Sequence, residues 1–176
     1  MSGSFSLHLT ELFKDTQKYC VACRQDLSAT STQPLRCSRC KVVHYCSREC
    51  QKSNFSLHKS CCKRISNLRQ QAANALLLGG EDGAVGMDAD NKMKSCQYDL
   101  ADTILHLGYK STDTIERGKY IYECALLEYY KLLRQDPLWI GACESVVLLL
   151  SVLGYDDLCF SLIRFMLHPP PSTKGG

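Results

Sequence analysis

The stretch "RCSRCKVVHYCSRECQKSNFSLHKSCCKR", residues 36–64, places six cysteines and two histidines in 29 residues. Just upstream, Cys20 and Cys23 form a CxxC pair, and Cys37 and Cys40 repeat it inside the quoted stretch. A CxxC loop presents two thiolates to one tetrahedral ion while backbone amides help offset their charge. The spacing then changes: Cys46 and Cys50 are four apart, as are His58 and Cys62. Residues at i and i+4 share one face of a helix, one turn apart. The block therefore reads as two loop-borne pairs followed by two pairs on short helices. Eight ligands fill two tetrahedral Zn2+ sites per chain and leave no open position, the mark of structural rather than catalytic zinc. Spacing alone allows either sequential or interleaved sites.

Outside the block the chain is ordinary. Its 176 residues are 45% hydrophobic and 22% charged, with a net charge of +3, so composition creates no strong field for a polyanion. The N-terminal "MSGSFSLHLTELFKDT" has neither a basic n-region nor a long apolar run, and so does not read as a secretory signal. The most apolar stretch, "WIGACESVVLLLSVLGY" at 139–155, carries Glu144 and is shorter than the ~20 residues a membrane span needs. These features predict an intracellular protein of the cytoplasm or nucleus with no membrane partner. In a reducing compartment, clustered cysteines bind metal more often than they pair as disulfides. Cys96, Cys124, Cys143 and Cys159 lie scattered on apolar helix faces and read as buried free thiols.

The expected organisation has six parts. Residues 1–19 are an N-terminal extension, with a short amphipathic helix over 5–15. The zinc module spans 20–62. A helix follows over 63–78, built on Ile65, Leu68, Ala72 and Ala75. "GGEDGAVGMDADN", with four glycines and four acids, reads as a flexible linker over 79–92. Residues 93–167 then read as helices: 93–107 ending at Gly108, 113–135 stopped by Asp136-Pro137, 138–153 ending at Gly154, and 156–167. Residues 168–176 form a disordered tail. "LHLGYKS" at 105–111 echoes "SVLGYDD" at 151–157, and the second copy, with its corner and closing proline, resembles part of a TPR unit.

The cysteine block resembles the MYND-type zinc finger. The likeness covers all eight ligand positions, "YCS" at 45–47, "CQ" at 50–51, the aromatic Phe55 and "HK" at 58–59. RING and PHD fingers fit less well, because this block ends on His-x-x-x-Cys. The resemblance implies interleaved sites, one zinc held by Cys20, Cys23, Cys46 and Cys50, the other by Cys37, Cys40, His58 and Cys62. It places the last ligand at Cys62 and leaves Cys61 a bystander. With both sites full, His44 is not a ligand. The expected fold is thus a small zinc-stabilised MYND-like finger followed by an all-α, TPR-like segment.

The resemblance also implies a function. MYND fingers commonly bind short proline-containing peptides, and the positions that would line the groove here are Ser38, Gln51 and Phe55. Phe55 stands where the family usually has Trp, which keeps an apolar face but loses area and the indole donor. Between residues 20 and 62, seven Lys/Arg face two Asp/Glu. Zinc bound to thiolates is net negative, which brings the finger to about +2. With no recognition-helix pattern, proteins are the expected partners and nucleic acid is not. The expectation is therefore a non-enzymatic adaptor that recognises proline-rich segments. Two alternatives stand beside it: a fragment or relative of a MYND-containing lysine methyltransferase, and a transcription-associated DNA-binding regulator. Residues 63–176 lack an "NHxC"-type motif, which weighs against the methyltransferase.

Overall fold

In the computed structural model, which describes residues 16, 18–28, 33–78 and 83–167, the cysteine block is built mainly of turns. Strands β1 (Leu35–Arg36) and β2 (His44–Tyr45) pair antiparallel, Leu35 opposite Tyr45 and Arg36 opposite His44. Isolated bridges join Tyr19 to Asp26 and Cys20 to His44, which fastens the first CxxC turn to the second. The two turns are built alike. The Arg24 amide donates to the Cys20 carbonyl at 2.7 Å, and the Lys41 amide donates to the Cys37 carbonyl at 2.9 Å. Each donor follows the second cysteine of its CxxC and sits in the left-handed region, φ 64° at Arg24 and 54° at Lys41.

After β2 the chain enters helix α1 (Arg48–Ser53), whose N-cap Ser47 accepts a hydrogen bond from the Cys50 amide. Asn54 closes α1, and α2 (Phe55–Leu78) starts at once. The helix expected at 63–78 therefore begins at Phe55, inside the zinc module, and carries His58 and Cys62 on its first turns. The expected linker is also narrower, because α3 (Gly83–Ser111) already takes in residues 83–92. Lys94 supports that entry, bonding Asp90 one turn back at 2.8 Å and Asp136 at 3.4 Å. The helix expected over 5–15 and the tail expected over 168–176 lie outside the described residues.

Helices α4 (Ile115–Gln135), α5 (Ile140–Val152) and α6 (Asp156–Leu167) follow and complete the described residues. Each helix from α2 onward packs on the next. The pairing is antiparallel: Arg64 meets Thr103 and Gln71 meets Cys96 across α2 and α3. Helix α4 is the spine. It buries Ile121, Tyr122, Ala125, Leu126, Tyr129 and Leu132, because α3, α5 and the finger all cover it. Thr114 caps its start, and Asp136, held extended before Pro137, ends it.

The two glycine marks turn out to differ. Gly154 lies just past α5 with φ +76°, a helix stop of the expected kind. Gly108 does not end a helix, since α3 runs on to Ser111. A Cβ at Gly108 would stand 2.4 Å from the ring of Tyr122, so the missing side chain serves close approach of α3 and α4. The two Leu-Gly-Tyr stretches are thus not equivalent corners.

Candidate metal centre

The eight predicted ligands gather into two groups of four. In one, the sulfurs of Cys20, Cys23, Cys46 and Cys50 all lie within 4.8 Å of one another. In the other, the donor atoms of Cys37, Cys40, His58 and Cys62 do the same. The groups interleave along the chain. Each takes one pair from a CxxC turn and one from near a helix start, α1 for Cys46 and Cys50, α2 for His58 and Cys62. Cys61 belongs to neither.

The distances suit a tetrahedral ion. Sulfur separations are 3.5 Å for Cys23 to Cys46, 3.5 Å for Cys46 to Cys50 and 3.7 Å for Cys37 to Cys62. A tetrahedron with Zn–S bonds of about 2.3 Å spaces its sulfurs at roughly 3.8 Å. Nε2 of His58 faces the Cys40 sulfur at 3.4 Å. Burial lowers the His58 pKa, which keeps the ring neutral, the form that binds metal.

The thiols divide by environment. Burial pushes Cys20 up, but the amides of Cys23, Cys46 and Ala22 outweigh it and bring the thiol down to about 7. Burial likewise opposes ionisation of Cys37, and the amides of Cys40 and Arg39 overcome it. Cys46, just ahead of α1, and Cys62, on α2, lack such help. Burial and neighbouring sulfurs push Cys46 and Cys62 up to about 12. A dication at the centre of each group would supply the charge that lets all its thiols ionise. The second group is buried throughout, whereas Cys23 leaves the first open at its rim.

Between the groups stands Tyr45, fully buried, its hydroxyl donating to Asn54 Oδ1 at 3.2 Å. This contact ties β2 to the junction of α1 and α2.

Sequence reasoning missed the residues that join the finger to the helices. His44 is buried, and its ring meets Tyr120 of α4 edge-on at 4.9 Å. Burial, then Arg36 and Lys18, push His44 down to about 4, so it is neutral. Arg69 of α2 donates to the Cys40 carbonyl and lies 3.8 Å from Glu128 of α4. Arg24 pairs with Asp113 at 2.8 Å. Arg24, directly after the first CxxC, was visible in the sequence; its partner 89 residues further on was not.

The predicted groove residues lie at the surface of the finger. Ser38 is exposed on the second CxxC turn and Gln51 is half-buried on α1. Phe55, the first residue of α2, is 56% exposed, with Lys59 Nζ 5.7 Å from its ring centroid. Of the other cysteines, Cys96, Cys143 and Cys159 are buried, while Cys61 and Cys124 are half-buried.

The MYND finger family model matches residues 20–62. Residues 20–62 are a MYND-type zinc finger with Cys/His zinc sites. Among similar proteins, a SET domain and MYND-type zinc finger protein of Schizosaccharomyces pombe is 37% identical over 51 residues, 29% of this chain and 10% of that protein. A SET domain-containing protein of Caenorhabditis elegans is 32% identical over 62 residues, 35% of this chain and 14% of that protein. A histone-lysine N-methyltransferase of Arabidopsis thaliana is 44% identical over 36 residues, 20% of this chain and 8% of that protein. The match to the MYND finger thus spans at most about a seventh of these relatives' length. No solved structure gives a significant match. Among the described residues, no helix is long and apolar enough to cross a membrane.

Proposed function

We propose that the chain is an intracellular protein-interaction adaptor whose MYND finger, held by two zinc ions, binds proline-containing segments of partner proteins. The carrying observation is Phe55. A large aromatic ring 56% exposed at the start of α2 is not filling the finger's core. It stands where Asn54 joins α1, which carries Cys50, to α2, which carries His58 and Cys62, so metal binding would fix its position. An aromatic face packs a proline ring, and the amide of Gln51 and hydroxyl of Ser38 can hold an extended backbone. The ligands are the eight residues described above.

The test titrates a proline-rich peptide into the wild-type chain, Gln51→Ala, Phe55→Ala and Phe55→Trp, with zinc measured in each. Losing an aromatic anchor at a small interface costs upwards of ~1 kcal/mol, roughly fivefold in affinity. Both alanine variants should weaken binding with two zinc ions retained, and Phe55→Trp should tighten it. Unchanged affinity in both alanine variants removes this reading.

The names of the relatives supply a second reading, that the chain belongs with SET–MYND methyltransferases. What favours the adaptor is the helical character of everything described after the finger. Transfer of a labelled methyl group to a lysine peptide by the purified chain would reverse that preference.

A further inference from the structure

Beside the finger lies a cleft of about 380 Å³ whose wall includes one residue of the second metal group, His58, next to Asn54 and Cys61. Three separate pieces of chain form it. Val21 and Ala22 come from the first CxxC turn, Leu57 from α2 and Leu107 from α3, with Arg24 and Lys110 at its edge. Leu57 is 77% exposed, a large apolar side chain with its face uncovered.

Charge defines what can cover it. Asp113 is shared by two guanidinium groups, Arg24 at 2.8 Å and Arg117 at 2.9 Å, so that trio is net positive. Lys110 is exposed and has no ion-pair or hydrogen-bond partner among the described residues. Of the cleft's two cationic side chains, Arg24 is paired with Asp113, which leaves Lys110 as the uncompensated positive charge beside the apolar floor. A neutral apolar peptide would leave the Lys110 ammonium unmatched, and a basic one would be repelled. Binding clefts of this size combine an apolar lining with a few placed polar groups.

We propose that this cleft docks a short partner segment in which two apolar side chains are followed or preceded by a carboxylate. The apolar pair would cover Leu57 and the floor formed by Val21, Ala22 and Leu107. The carboxylate would pair with Lys110. This site is distinct from the surface of Ser38, Gln51 and Phe55, and it does not depend on that reading. It does depend on metal, because the first group fixes the turn bearing Val21 and Ala22, and the second fixes the start of α2. Two such sites on one finger would let the chain bridge an acidic-apolar segment and a proline-containing one.

The experiment selects from a phage-displayed library of random nonapeptides on the full-length, zinc-loaded chain. Selected peptides are then synthesised and titrated by fluorescence anisotropy. The expected consensus pairs two apolar residues with Asp or Glu. Leu57→Asp and Lys110→Glu should each weaken binding at least tenfold with zinc content unchanged, and Phe55→Ala should leave it unaltered. Replacing the peptide's acid with lysine should restore affinity for Lys110→Glu. Because both altered side chains are exposed, Lys110→Glu remains informative even if Leu57→Asp disturbs the nearby His58. Failure to enrich any peptide overturns the proposal, as does affinity indifferent to both Leu57→Asp and Lys110→Glu. A proline-rich consensus lost in Phe55→Ala but kept in Leu57→Asp overturns it too, and supports the proposed function.

Discussion

Cys61 and Cys62 pose the sharpest question at the scale of the residue, being adjacent cysteines of which one is placed to bind metal. Cys62 is buried, with its sulfur 3.7 Å from that of Cys37, while Cys61 is half-buried on the wall of the neighbouring cleft. One step along a helix turns the side chain by about 100°, so only one of the two can face the metal. Cys62→Ala opens a closed site, and in isolated fingers structural zinc supplies ~10–16 kcal/mol that is also folding energy. We expect elemental analysis of Cys62→Ala to show one zinc fewer per chain, together with a large fall in thermal stability. Cys61→Ala should keep full zinc and change stability by less than ~0.5 kcal/mol. The reverse pattern would mean the ligand spacing is His-x-x-Cys.

Among the secondary-structure elements, the contact of α3 with α4 is the most exacting. The ring of Tyr122 is gripped between two glycines, with hypothetical Cβ atoms 2.4 Å away at Gly108 and 2.6 Å away at Gly118. Gly108→Ala gains about 1 kcal/mol of helix propensity. It also drives a methyl into a buried ring that Gly118 blocks from retreating, and overpacking of this kind costs about 1–3 kcal/mol. The clash should win, giving net destabilisation in denaturant unfolding. Tyr122→Leu introduced with it should recover part of the loss, a coupling above ~0.5 kcal/mol in a double-mutant cycle. The same glycine shows what the sequence could and could not reveal. Ligand spacing is local chemistry, so the pairs of the finger were readable residue by residue. The helix after Asp156 was readable from its acidic start, and the stop at Asp136-Pro137 from ring sterics. A glycine that ends a helix and one that admits a neighbouring ring look the same until the neighbour is known. The glycine- and acid-rich stretch at 79–92 has the composition of a linker, yet α3 begins at Gly83. Its entry is supported by Lys94, whose partner Asp136 lies at the far end of α4. Such pairings at long sequence separation have no local signature.

For the molecule as a whole, the question is whether zinc stabilises only the finger. Helix α2 crosses any boundary drawn at residue 62: its first turns carry His58 and Cys62, and its later turns pack on α3. His44 against Tyr120, Arg69 on the Cys40 carbonyl and Arg24 on Asp113 add contacts between the finger and the helices. The buried apolar residues of both parts form one continuous cluster, from Cys20 and Tyr45 to Leu126 and Leu150. Removing zinc should therefore disorder the turns of the finger, which have little hydrogen-bonded structure of their own, and uncover part of α4. Helices α3 to α6 still pack each on the next, so most of the far-UV helix signal should survive. Its melting temperature should not. Each kcal/mol lost shifts the midpoint of a domain this size by about 2–4 °C. Losing these contacts is worth several kcal/mol on the scale of ordinary core and ion-pair changes, so the midpoint should fall by roughly 5–15 °C. The measurement is thermal melting by circular dichroism, before and after dialysis against a chelator, with zinc quantified at each stage. A midpoint unchanged in metal-free protein would show that the finger is an independent bead. Complete loss of helix on chelation would show that the helical segment cannot stand without it.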